Sequence, residues 1–291
     1  MVSFIKKRFN IFENDILYLL LDKLYIEFDK KRLRRTKGIR LVPSFIKRIG
    51  GKISYGEWCF TIGVFQTLIN DLLIDKKKNV VLDIGCGTGL LAMACEPFLG
   101  EEGKYIGIDI IKKNIIFCQQ HYSNKKFSFI YHPINNPLYA PNQQKLRNSY
   151  PIKDNYVDLI TALSVWTHLN EKDALFYFKE VNRILKPGGK AIITFFYLNE
   201  EYEESLKERD NKKGKYHYTN KMRWIFSKRV NDSTSFYHPK WTDVPEEAIG
   251  VKESGINSLL NKTDLKLVKI YRGNWKEKPG IFFQDILVFM K

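Results

Sequence analysis

Apolar positions recur along this chain with two distinct periods. Ile16, Leu19, Leu20, Leu24 and Phe28 fall at helical spacing and predict a helix over Asp15–Asp29, and a second helical stretch covers Phe60–Leu73. From residue 80 onward, apolar runs of strand length alternate with helical ones: Val80–Ile84, a helix over Leu90–Phe98, Tyr105–Asp109, a helix over Lys112–His121, then Phe127–Tyr131. A loop rich in Pro and Asn leads into Val157–Ile160, a helix over Glu171–Leu185, and Ala191–Phe196. Residues 199–245 lose the rhythm among charges and aromatics. Two strand-like runs, Leu265–Tyr271 and Ile281–Met290, flank "RGNWKEKPG" and predict an antiparallel hairpin.

Strands alternating with helices imply βαβ units and a parallel sheet. The expected class is α/β: a Rossmann-like, mostly parallel twisted sheet with a C-terminal antiparallel hairpin and helices on both faces. An N-terminal helical extension and an irregular cap complete it. The expected boundaries are a basic helical extension over residues 1–54 and a main domain over 55–291, with the cap inserted at about 199–254.

Composition narrows the function classes. At 291 residues and 44% apolar content the chain can bury a real core. Cys59, Cys86, Cys95 and Cys118 show no C-x-x-C pair and no His-rich spacing, so neither a disulfide framework nor a metal site is expected, and a reducing, cytoplasmic setting fits. "MVSFIKKRFN" has no apolar core of signal-peptide type, and Ile16–Phe28 is interrupted by Asp22, Lys23 and Glu27, so no span is expected. The net charge of +16 is the one extreme value. Much of it is Lys scattered along the chain, as on a solvated surface. The densest run, "KKRLRRTK" at 30–37, is a candidate contact for an anionic surface, including the face of a membrane.

The chemistry begins at "VVLDIGCGTGL", residues 80–90. Gly85, Gly87 and Gly89 at a strand-to-helix turn let a ligand approach the backbone, at the end of the sheet where such folds bind ligands. The dinucleotide pattern G-x-G-x-x-G/A fails, because its third small position is Leu90. Asp83 would repel a pyrophosphate but could hold an ammonium group, so the ligand should carry both charges. S-adenosylmethionine fits: an amino group for Asp83, a carboxylate for the glycine turn, and ribose hydroxyls for Asp109 in "YIGIDI", 26 residues after Asp83.

With "YPIKDNYVDLI" and "ILKPGGKAIIT" added in order, the chain resembles the class I S-adenosylmethionine-dependent methyltransferases over roughly residues 55–200. The resemblance implies a cofactor loop of Gly85, Cys86, Gly87 and Gly89, ribose binding by Asp109, and an adenine face covered by Ile110. It also implies that Leu163 and Ser164 lie beside the methionine arm. Where relatives carry an acid for the adenine amino group, this chain has Pro133, and backbone groups of Ile134 or Asn135 are the substitutes. A narrower resemblance, carried by "SVWTHL", "TFFYL", Asn136-x-x-Tyr139 and "GNW…QDILVF", is to methyltransferases that accompany glycosyltransferases in surface-glycan pathways. It implies a sugar or glycan acceptor and a glycosyltransferase partner.

A sugar hydroxyl is a poor nucleophile until its proton is drawn away, so a general base is expected. His168 follows the fourth strand on the ligand edge and is the first candidate; His238 in "SFYHPKW" is the second. Tyr139, Trp166, Trp275 and Gln284 are expected to shape the acceptor pocket. Two other readings stand beside this one. Methylation of nucleic acid or another polyanion is favoured by the charge, but "TALSVW" replaces the N/D-P-P-Y/F signature of amino methylation after the fourth strand. A cofactor-binding scaffold without turnover is the other.

Overall fold

A computed structural model describes residues 14–73, 77–122, 125–141, 143 and 146–291. The opening "MVSFIKKRFN" lies outside the described residues. The chain begins with α1 (Asn14–Lys30) and α2 (Tyr55–Leu72). α2 starts five residues earlier than the apolar pattern suggests, because Ser54 accepts a hydrogen bond from the Glu57 amide at 3.0 Å and caps the helix.

The alternating core follows as β1 (Val80–Ile84), α3 (Leu90–Cys95), β2 (Lys104–Asp109), α4 (Lys112–His121), β3 (Phe127–Tyr131), β4 (Val157–Ala162), α5 (Glu171–Ile184) and β5 (Leu185–Leu198). Strands β3, β2, β1, β4 and β5 lie side by side in that order, all parallel. The central strands are buried on both faces, whereas the edge strand β3 is only partly covered. Leu82, Ile84, Ile106 and Ile108 face α5 with Tyr177, Phe178 and Val181, whereas Val81, Tyr105 and Leu159 face α2 and α3 with Phe65, Leu91 and Met93. This double burial explains why β1 reads as an apolar run broken only by Asp83 rather than as an alternating one.

β10 (Asp285–Met290) runs antiparallel to both β5 and β9 (Lys266–Tyr271), so the expected hairpin closes the sheet. The cap is more ordered than its sequence suggests. After α6 (Glu200–Ser205), it contributes β6 (Phe226–Arg229), β7 (Phe236–Pro239) and β8 (Gly250–Lys252), and α7 (Glu253–Leu260) follows. β8 pairs in parallel with the overhanging end of β5, Phe196–Leu198, and β7 and β6 follow outward. The expected cap thus carries short strands among its irregular turns, and strands of three or four residues are too short to show a period of two in the sequence. Ten strands form one sheet among the described residues. No described helix is long and apolar enough to cross a membrane.

Strand order reverses between β1 and β4, and the carboxyl ends of these strands are where a sheet of this kind places its ligand. The turns leaving those two strands, 85–89 and 163–168, meet at this point.

Candidate active site

The glycine turn is built for close approach. Gly85, Gly87 and Gly89 all have positive φ, at 71°, 55° and 87°. A methyl group on Gly89 would lie 2.4 Å from the Tyr122 ring, and one on Gly85 would lie 2.5 Å from Val165. Both positions are therefore closed to any other residue, by backbone and by space. Cys86 is buried beneath the turn, and burial pushes its thiol well above the ordinary range, so it is a packing residue and no nucleophile.

Asp109 ends β2 and ties the turn to α4. Its carboxylate accepts the Gly87 amide at 2.8 Å, the Ile111 amide at 2.6 Å and Asn114 Nδ2 at 3.4 Å. Burial raises its pKa and these hydrogen bonds pull it back. Two carboxylate oxygens offer about four acceptor sites, so capacity remains for a ligand hydroxyl. Ile110 beside it is half-buried. Asp83 corrects the sequence reading. Its side chain is only 1% exposed and takes the Tyr105 hydroxyl at 2.5 Å and Thr161 Oγ1 at 2.9 Å. Burial pushes its pKa up to about 7, so near neutrality it is partly protonated and braces β1 against β2 and β4 from below rather than presenting a charge to a ligand.

Ile134 and Asn135 both lie past the end of β3. Ile134 is buried, and Asn135 donates from Nδ2 to the carbonyls of Pro141 and Gln143 at 2.9 and 3.1 Å, which curls the loop. Leu163 and Ser164 are half-buried at the end of β4. Ser164 holds φ at 59°, a left-handed conformation costly for a residue with a side chain. It is fixed by Thr194, whose Oγ1 accepts the Ser164 amide at 2.7 Å, and by Gln284, whose Oε1 accepts Ser164 Oγ and Thr194 Oγ1, each at 2.8 Å. Gln284 thus locks this turn together with Thr194, the first residue of "TFFYL".

His168 closes the same turn, in a short 3-10 segment from Trp166. Its Nδ1 lies 2.7 Å from the Glu246 carbonyl, which can only accept, so Nδ1 carries the proton. In the neutral ring Nε2 is then the basic nitrogen, and it faces the Tyr139 hydroxyl at 3.3 Å. Asn136 sets this pair: its Oδ1 accepts the Leu138 and Tyr139 amides at 3.0 Å each, and its Nδ2 donates to the His168 carbonyl at 3.2 Å. The cap joins in, with the Ile249 amide on the Thr167 carbonyl at 2.8 Å. Asn136 and the Pro245–Ile249 segment were missed as functional parts, although the Asn-x-x-Tyr spacing of an Asx turn was visible.

Two acceptor-pocket expectations fail. Trp166 and Trp275 are both 0% exposed. Trp166 packs against Phe178 and Phe195, and Trp275 donates Nε1 to Asp285 at 2.9 Å within the aromatic core of the cap. Their size made the interior the better place for them. His238 lies on β7, bonded through Nδ1 to Thr242 Oγ1 at 2.7 Å, and burial lowers its pKa. No hydrogen bond joins it to His168 among the described residues. No cluster of metal-ligating side chains occurs there either.

The N-terminal extension reaches this site, which sequence alone did not indicate. Thr88 Oγ1 donates to the Lys47 carbonyl at 2.6 Å, and Ile49 lies over Gly87. Arg40 pairs with Glu96 at 2.8 Å, and His121 Nε2 meets the Leu41 carbonyl at 2.7 Å.

Residues 82–193 match the family described as a methyltransferase domain. The ubiquinone biosynthesis O-methyltransferase of Pelagibacter ubique is 32% identical over 133 residues, covering 44% of this chain and 48% of that protein. The ubiquinone/menaquinone biosynthesis C-methyltransferase of a Shewanella species is 29% identical over 116 residues, covering 40% and 42%. The chain thus spans about half the length of these relatives. An S-adenosylmethionine-dependent methyltransferase structure from Mesorhizobium loti superposes with a TM-score of 0.50 at 11% identity, covering 78% of this chain and 98% of that one. The residues fit that cofactor: a turn whose added Cβ atoms have no room, and a buried acid with acceptor capacity to spare beside an exposed Gly85. The chain therefore has the class I S-adenosylmethionine-dependent methyltransferase fold, with residues 82–193 matching a methyltransferase domain and S-adenosylmethionine as its cofactor.

Proposed function

We propose that this protein is an enzyme that moves a methyl group from S-adenosylmethionine to an acceptor hydroxyl, and that the hydroxyl belongs to a sugar or glycan. The observation that carries the hydroxyl is His168: Nδ1 is committed to the Glu246 carbonyl, so Nε2 is the nitrogen able to take a proton. When bound, the cofactor supplies a methyl group on a sulfonium, displaced in line. This chain's part is to align the acceptor, exclude water and receive the proton. Tyr139 and Asn136 orient His168; Ser164, Thr194 and Gln284 hold the turn that carries it. The sugar rests on the short motifs "SVWTHL" and "TFFYL".

A second reading is a phenolic hydroxyl of a quinone precursor, favoured by the name of the ubiquinone biosynthesis O-methyltransferase. The two differ in their need for a base, since a phenol ionises near pH 10 and a sugar hydroxyl far less readily. Labelled-methyl S-adenosylmethionine offered with a panel of sugars, glycans and catechols separates them by mass spectrometry. Label on a sugar oxygen is the expected result. Label on a phenol selects the second reading, and label on carbon or nitrogen overturns both.

A further inference from the structure

Helix α1 is mounted with its apolar side outward. Asp22 and Ile26 are its buried contacts, Asp22 through an ion pair with Arg48. Leu17, Leu21, Leu24 and Phe28 lie on the opposite side at spacings of four, three and four, and they are 61%, 54%, 60% and 64% exposed. Leu20, 61% exposed, widens the stripe. A folded chain seldom leaves five large apolar side chains in one row facing water. The segment that follows directly, 30–37, exposes Lys31, Arg32, Arg34, Arg35 and Lys37. A leucine face with a dense cationic run at its end has the chemistry of a helix lying in a bilayer interface.

We propose that α1 and residues 30–37 dock this protein on an anionic lipid surface, the leucine stripe entering the acyl boundary and the basic run meeting lipid headgroups. Charge complementarity selects this occupant. The inference is independent of the acceptor, because it rests on a surface outside the active site.

The test is co-sedimentation of the full chain with vesicles of phosphatidylcholine alone and of phosphatidylcholine mixed with phosphatidylglycerol, at low and high salt. Binding is expected only to the anionic vesicles and is expected to fall with salt. Replacing Arg32, Arg34 and Arg35 with Gln weakens it about a hundredfold, and Leu21→Glu with Leu24→Glu abolishes it. Because these residues are exposed, both variants keep the wild-type melting temperature, which is measured alongside. No binding of the wild type to anionic vesicles at low salt overturns the proposal, and so does binding that survives the leucine substitutions. A dimer in sedimentation that dissociates on Leu21→Glu, without vesicle binding, assigns the stripe to a second copy and overturns it equally.

Discussion

Replacing His168 with alanine lowers methyl transfer to a sugar hydroxyl by about 10²–10⁴-fold and leaves S-adenosylmethionine affinity nearly unchanged. The expectation follows from the tautomer. The Glu246 carbonyl fixes the proton on Nδ1 and so leaves Nε2 to accept one, on the turn that packs Val165 against Gly85. A histidine that only joined the cap to the core would act through stability, and its loss would lower the melting temperature without a selective effect on turnover. A base shows the opposite split: kcat falls far more than the modest loss of melting temperature from the Glu246 hydrogen bond can explain, and the residual rate loses its acidic limb if proton removal limits turnover. A catechol acceptor would be less affected, because its proton is already acidic. Turnover within a few-fold of wild type on a confirmed sugar acceptor excludes His168 and leaves alignment, or His238, to carry the reaction.

Arg48→Ala has the largest expected effect on stability, about 3–5 kcal/mol. Both side chains of the pair are buried, and Arg48 Nη2 meets the two oxygens of Asp22 at 2.5 and 2.7 Å. The same guanidinium also holds the Pro43 carbonyl at 2.9 Å and the Ile53 carbonyl at 2.7 Å. Its removal leaves Asp22 with the Phe45 amide at 3.1 Å and uncompensated charge. The damage should be local first, releasing the segment that carries Lys47 and Ile49 onto the glycine turn. Limited proteolysis between residues 31 and 54, a lower melting temperature and weaker cofactor binding are therefore expected together. Replacing both partners at once, Arg48→Met with Asp22→Leu, should recover much of the loss, because neither charge is then stranded. Unchanged proteolysis and melting in Arg48→Ala would contradict this account of the extension.

The parallel core was legible because its strands are short, mainly apolar runs set off by turns and helices, so Val80–Ile84 and Phe127–Tyr131 coincide with the observed elements although Asp83 and Ser128 interrupt them. The glycine turn and Asp109 were legible because backbone conformation and charge dictate residue type there. Side-chain direction was not. Asp83 precedes the turn, yet its Cβ points into the sheet toward Tyr105 and Thr161. Trp166 adjoins His168 by only two positions, yet the 3-10 turn sends one into the core and leaves the other half-buried at the cleft. Glu246 acts through its carbonyl, which every residue possesses, so no pattern of side chains could announce it. The outward stripe of α1 followed helical spacing like any core helix, and only the burial of Asp22 on the other side shows which way it faces.

The most direct measurement is a calorimetric titration of S-adenosylmethionine into the wild-type chain and into Asp109→Ala. Saturable binding to one site is expected in the wild type, and binding about ten- to a hundredfold weaker in a variant that still folds but melts lower, since a charge-assisted ligand contact is lost and the Gly87 and Ile111 amides lose their acceptor. Absence of saturable binding in the wild type, or equal affinity in a folded Asp109→Ala, would contradict the assignment of this crevice to the cofactor.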